Sequence, residues 1–198
     1  TKLRISNYMN NYTLLNLPCQ FWKTDVELVV NRRKWQAYGH DWELVNGEEY
    51  LHEDLFDWLS DLGLGHLRCQ LFYHKPFFQG LIHADGIPNK FTYYWGLNFF
   101  TGVPHTEMIW YKEKNQGKIN NYTDQFGQTN YRPFYEWKEN EVEPIEEVIA
   151  SDPMLVRIDR PHKVINGFPT SRWCMSIREH TRNRTYEEML EVFRPFFK

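Results

Sequence analysis

The chain has 198 residues, 41% of them hydrophobic and 17% aromatic, with a net charge of −3. That length accommodates one domain with a substantial core, and no apolar run approaches the length of a membrane span. Lys and Arg are spread along the chain without forming a basic stripe, which disfavours a duplex nucleic acid as partner. Three cysteines, Cys19, Cys69 and Cys174, are an odd number without C-x-x-C spacing. They indicate neither a disulfide framework nor a zinc site, and a reducing cytoplasm suits them best.

In chain order, residues 1–48 mix short apolar runs with turn-like clusters and hold no period long enough to assign. Over 48–62, Leu51, Leu55, Trp58 and Leu62 recur at helical spacing with acids between them, and Gly63 and Gly65 end the pattern. A helix is expected there. An alternating strand pattern covers 67–73, and a second strand runs over 81–85 after the turn-prone 74–80. Further strands are expected over 91–100 and 107–111. The polar stretch 112–140 lacks clear periodicity and reads as a loop or lid over a site, carrying Tyr111, Tyr122, Tyr131, Phe134, Tyr135 and Trp137.

The last third is regular again, with strands expected over 154–158, 162–166 and 171–178 and a turn at Asn166-Gly167. Thr185 with Glu188 three residues on forms a capping box that opens a short closing helix over about 185–196. Many short strands between two helices, without β-α-β alternation, predict a mainly β fold with flanking helices. The expected core is a double-stranded β-helix, a jelly-roll or cupin-like arrangement over about 67–178, in a single domain spanning 1–198.

Within this pattern His83 and Asp85 stand two apart on a strand, so both side chains share one face. Taken alone, the pair reads better as a His–Asp hydrogen bond at a solvated strand end. His162, in another strand, adds a second imidazole. Two histidines and a carboxylate on one face of a metal make the facial triad of non-haem iron(II) oxygenases, which leaves the opposite face open. Arg172 follows His162 by ten residues across a turn. Hairpin geometry predicts that its strand lies antiparallel and adjacent to that of His162, pointing the guanidinium into the same cavity. A guanidinium stays charged when buried and grips a carboxylate bidentately, which suits a dicarboxylic keto acid.

The segments LIHADG and RPHKVINGFPTSRWCMSIR resemble the two signature regions of the 2-oxoglutarate and iron(II)-dependent oxygenase superfamily. The resemblance implies that His83, Asp85 and His162 bind iron(II) and that Arg172 pairs with the distal carboxylate of 2-oxoglutarate. Some members carry a serine two residues after the arginine, where Cys174 stands here. Arg178 shares the face of Arg172 and is a second candidate anchor. Tyr73 and Asn98 are candidate cosubstrate contacts. The resemblance further implies dioxygen as co-reactant and a substrate that is hydroxylated, an amino-acid residue, free or in a polypeptide, being preferred. Retention of Asp85 favours hydroxylation over halogenation. Two rival expectations are a cupin-like metal enzyme that uses no keto acid, against which Arg172 speaks, and a catalytically silent β-helix binding module.

Overall fold

The computed structural model describes residues 10–23, 42–87, 91–102, 106–120, 134–150, 153–180 and 184–198. Its strands are β1 (Tyr12–Leu14), β2 (Trp42–Val45), β3 (Leu67–His74), β4 (Ile82–Ala84), β5 (Gly86–Ile87), β6 (Phe91–Thr92), β7 (Trp95–Gly102) and β8 (Thr106–Glu113). They continue with β9 (Lys118–Asn120), β10 (Phe134–Trp137), β11 (Val142–Ala150), β12 (Met154–Arg157), β13 (His162–Asn166) and β14 (Arg172–Glu179). Among the described residues two helices, α1 (Glu53–Asp61) and α2 (Tyr186–Phe193), flank them. The expected mainly β architecture with two helices is present.

Twelve strands form two antiparallel six-stranded sheets, ordered β1-β12-β7-β14-β3-β2 and β11-β8-β13-β4-β10-β9, and β5 pairs with β6 in a separate ribbon. The central pairings nest: β3 lies against β14, β4 against β13, β7 against β12 and β8 against β11. The chain therefore alternates between the sheets on its way in and retraces that path on its way out. One face of the first sheet carries Leu71, Leu97, Phe99, Met175 and Ile177 against Leu55 and Leu59 of α1 and Met189 and Phe193 of α2. The other face meets the second sheet through Met154 and Val156, which pack with Met108 and Trp110.

Local chemistry sets the helix ends. The capping box at α2 is formed as expected: Glu188 N–H donates to Thr185 Oγ1 at 3.2 Å, and Thr185 N–H donates to Glu188 Oε2 at 2.7 Å. The helix expected from residue 48 begins instead at Glu53, because His52 takes the N-cap and a 3-10 turn, Gly47–Glu49, precedes it. Gly63, at φ 73°, occupies the left-handed position just past α1, where a side chain would be strained.

Two expectations are corrected. First, β14 is not the hairpin neighbour of β13; it pairs with β3 and β7 in the other sheet. Asn166 explains this. Rather than sitting in a tight exposed turn it is buried, and its amide donates to the carbonyls of Lys75 (2.9 Å) and Thr170 (2.8 Å) while its oxygen accepts from Phe168 N–H. These bonds tie the connection after β13 to the one after β3 and carry the chain across to the first sheet. Second, the stretch read as a loop over 112–140 contains β9 and β10, which extend the second sheet beside β4. Tyr111, Tyr135 and Trp137 pack there with Ile82, Ala84 and Val142. Gly117 is required where the chain crosses Trp137, since an added Cβ would come within 2.4 Å of the indole. Residues 121–133 of the expected lid, with Tyr122 and Tyr131, lie outside the described residues.

Candidate metal centre

His83 and His162 are directly opposite each other in the β4–β13 pairing, so their imidazoles share a face, with ring centroids 4.5 Å apart. Each ring is oriented by its own backbone: His83 Nδ1 lies 3.1 Å from Leu81 O and His162 Nδ1 2.9 Å from Arg160 O. A carbonyl only accepts, so Nδ1 is the donor in both rings, which leaves Nε2 as the candidate ligand atom. Asp85 follows β4, pinned by its N–H donating to Ile158 O at 2.9 Å. Its Oδ1 lies 3.9 Å from His83 Nε2, and its Oδ2 is 3.1 Å from Arg178 Nη2.

Ligand atoms of His83, Asp85 and His162 all fall within 4.8 Å of one another, close enough to converge on one cation. The electrostatics suit that use. Burial alone would raise the Asp85 carboxyl, but Arg178, His83 and His162 together hold it below the ordinary carboxylate value. Burial, aided by His83 and Arg178, lowers His162 to about 3 against the opposing pull of Asp85 and Arg160 O. An ionised carboxylate and a neutral imidazole are the protonation states a metal requires.

The facing wall is the inner face of the first sheet. Alternation along β14 sends Arg172, Cys174, Ser176 and Arg178 inward, opposite His74, Phe72, Gln70 and Arg68 of β3, with Phe100 and Asn98 of β7 beside Cys174 and Ser176. Arg172 is 2% exposed, with its guanidinium carbon 4.0 Å above the centre of the Phe100 ring. None of its three guanidinium nitrogens has a hydrogen-bond partner among the described residues. Burial lowers it to about 10, which leaves it charged at neutral pH. Gln70 Oε1, His74 Nδ1, Asn98 Oδ1 and Arg178 Nε are unpartnered on the same face.

Unmade bonds of buried groups cost about 1–3 kcal/mol each, more when charged, and folded proteins leave few of them. Here they share the inner face of the first sheet. With Arg68, Arg172 and Arg178 on it and Asp85 paired across to Arg178, that face carries excess positive charge. A small oxygen-rich dianion complements both features.

The structure thus brings His83, Asp85 and His162 together and places Arg172 and Asn98 on the opposite wall. Tyr73 is a correction. Its cross-strand partner is Trp173, 4.6 Å away between ring centroids, and both pack toward the helices, away from the pocket. Arg178 is also reassigned: it pairs with the Asp85 carboxylate and so does reach the sheet that carries His83 and His162. Ser176, two residues beyond Cys174, carries a hydroxyl on the same face. Gln70, His74 and Ser176 were not singled out from sequence; counting back and forward by two along β3 and β14 finds them once both strands are known to face the site.

Buried His74, lowered to about 3 by burial and by Arg172, makes stability acid-sensitive together with His162. Unfolded histidine titrates near pH 6.5. As pH falls from 6.5 toward 3 the unfolded chain takes up protons that the folded chain refuses, so stability falls with pH. The slope is about 1.4 kcal/mol per unit for each histidine. Urea unfolding of chelator-treated protein at pH 7, 5.5 and 4.5 checks this: His74→Phe is expected to remove one histidine's share of the slope. An unchanged slope would mean that His74 protonates in the folded protein.

No helix among the described residues is long and apolar enough to cross a membrane. No protein-family model matches the chain, and no curated protein matches it as a relative.

Proposed function

We propose that the protein is a 2-oxoglutarate-dependent non-haem iron(II) oxygenase that hydroxylates its substrate, built on a double-stranded β-helix. The nested strand pairing, each strand of the first half returning to its counterpart in the second, supports the fold reading. The site reading rests above all on Arg172, a buried guanidinium with no partner of its own, set in the sheet opposite a two-histidine, one-carboxylate cluster. A cupin-like metal enzyme without a keto acid, or a silent binding module, leaves that guanidinium unexplained.

His83, Asp85 and His162 would hold the iron, and Arg172 the distal carboxylate of 2-oxoglutarate. When bound, this pair supplies oxidative decarboxylation of the keto acid coupled to hydroxylation of a C–H bond by dioxygen. The chain's own residues do the positioning. The carbonyls of Leu81 and Arg160 fix the tautomers and ring angles of the two histidines. Arg178 occupies one oxygen of Asp85, leaving the other to face the metal position as a single donor. Fully buried Trp110, directly opposite His162 and with its indole N–H satisfied by Arg157 O, closes one side against water. Asp85 as third ligand favours hydroxylation over halogenation. Three free cysteines and an iron(II) site suit a reducing, cytoplasmic setting.

Anaerobic titration with iron(II) and 2-oxoglutarate tests this reading. A weak visible charge-transfer band of the metal–keto acid chelate is expected; native protein that takes up both without the band, or binds neither, overturns it.

A further inference from the structure

The row that carries the two histidines extends beyond them. Across the inner face of the second sheet, residues directly opposite one another run Trp110, His162, His83, Glu136, Lys118. Cross-strand partners share a face, so Glu136 stands one strand spacing beyond His83, about 4.8 Å, on the side of the metal position. Exposure rises along the row: Trp110 is 0% and His162 4% exposed, whereas the side chain of His83 is 31% exposed. The metal position is therefore approached across β10.

Two features mark what would be received there. Phe134 shares the face of Glu136 two residues earlier, and its ring meets His83 edge-on, with centroids 6.0 Å apart at 78°. Asn120, opposite Phe134, donates its amide to Glu136 Oε2 and so orients the carboxylate. Among the described residues Oε1 has no hydrogen-bond partner and no cation pairs with Glu136; Lys118 stands exposed at the rim of the row without forming an ion pair. An oriented carboxylate beside an aromatic ring recognises a cationic nitrogen by charge-assisted hydrogen bonding and cation–π attraction.

We propose that Glu136, with the ring of Phe134, determines specificity, and that the oxidised substrate carries a cationic nitrogen of the lysine or arginine side-chain type. A cation held by Glu136 sets its neighbouring carbons over the accessible side of His83 and Asp85. The inference rests on the oxygenase reading and deepens it.

The test uses full-length protein loaded with redox-inert zinc(II) and 2-oxoglutarate, titrated calorimetrically with the N-acetyl methylamides of lysine, arginine, norleucine and glutamate. Lysine or arginine derivatives are expected to bind at least tenfold tighter than the norleucine derivative. Glu136→Gln is expected to abolish that preference, and Glu136→Lys to turn it toward the glutamate derivative, with zinc and 2-oxoglutarate affinities unchanged and circular dichroism native. Equal affinity for the lysine and norleucine derivatives, no binding of either cation, or a preference that survives Glu136→Gln would overturn the proposal. Failure of 2-oxoglutarate to bind alongside a Glu136-dependent cation preference would instead remove the oxygenase reading alone.

Discussion

Replacing Arg172 by Met is expected to stabilise the ligand-free protein and, at the same time, to weaken 2-oxoglutarate binding by at least two orders of magnitude. Both effects follow from one fact: the guanidinium is 2% exposed and has no hydrogen-bond partner among the described residues. Without its ligand Arg172 is a desolvated charge. Exchanging buried charge for an apolar side chain of similar length gains about 1–4 kcal/mol in comparable sites. At roughly 2–4 °C per kcal/mol for a chain of this size, the melting temperature should rise by several degrees. With ligand present the order inverts, because truncating one partner of a buried charge pair costs about 2–5 kcal/mol of binding. Saturating 2-oxoglutarate should stabilise the native protein, by about 2.7 kcal/mol at one hundred times Kd, and leave Arg172→Met unmoved. Thermal melts with and without 2-oxoglutarate, beside a metal titration expected to be unchanged, check all of this. A lower melting temperature for the apo variant would make Arg172 a structural residue, and undiminished affinity would move the anchor to Arg178.

The second large effect is expected at Asp85. Asp85→Ala should lower iron(II) affinity on the order of 1000-fold, about 4 kcal/mol at 1.4 kcal/mol per decade, and erase the charge-transfer band of the keto-acid complex. It should also destabilise the metal-free fold. Removing the carboxylate strands Arg178, whose side chain is 8% exposed, without the anion it now pairs with. Loss of one member of a fully buried pair costs about 3–5 kcal/mol; the partial exposure of Asp85, 22%, reduces that to roughly 2 kcal/mol by solvent screening. The double variant Asp85→Ala/Arg178→Met separates the two losses. It is expected to recover stability in urea unfolding and to recover no metal binding. Metal affinity that persists in Asp85→Ala would remove Asp85 from the ligand set.

How far the sequence carried each of these residues depends on the range of the interaction that positions it. The capping box of Thr185 and Glu188, the end of α1 at Gly63 and the shared face of His83 and Asp85 are set by dihedral preferences and by side chains two or three residues apart. Such features are written in consecutive residues, and they were legible. The strands β9 and β10, three and four residues long, are too short to show a period. Their place beside β4 comes from packing of Trp137 and Tyr135 on Ile82 and Ala84, distant in sequence. Glu136 and Phe134 were read as parts of a loop for that reason. Tyr73 was misplaced by parity: it sits one residue from inward-facing His74, which turns it toward the helices.

By itself, then, the sequence determined the mainly β class, both helices, and the two histidines and carboxylate that could hold a metal, with an arginine to follow. Those follow from local periodicity and from the chemistry of side chains. The tertiary structure decided which wall each residue stands on. Buried Asn166 sends β14 across to the first sheet, so Arg172 stands on the sheet opposite the His83, Asp85 and His162 cluster instead of on an adjacent strand. That choice is made by hydrogen bonds between residues 91 and 92 positions apart, and separations of that kind leave no trace in the spacing of neighbouring residues.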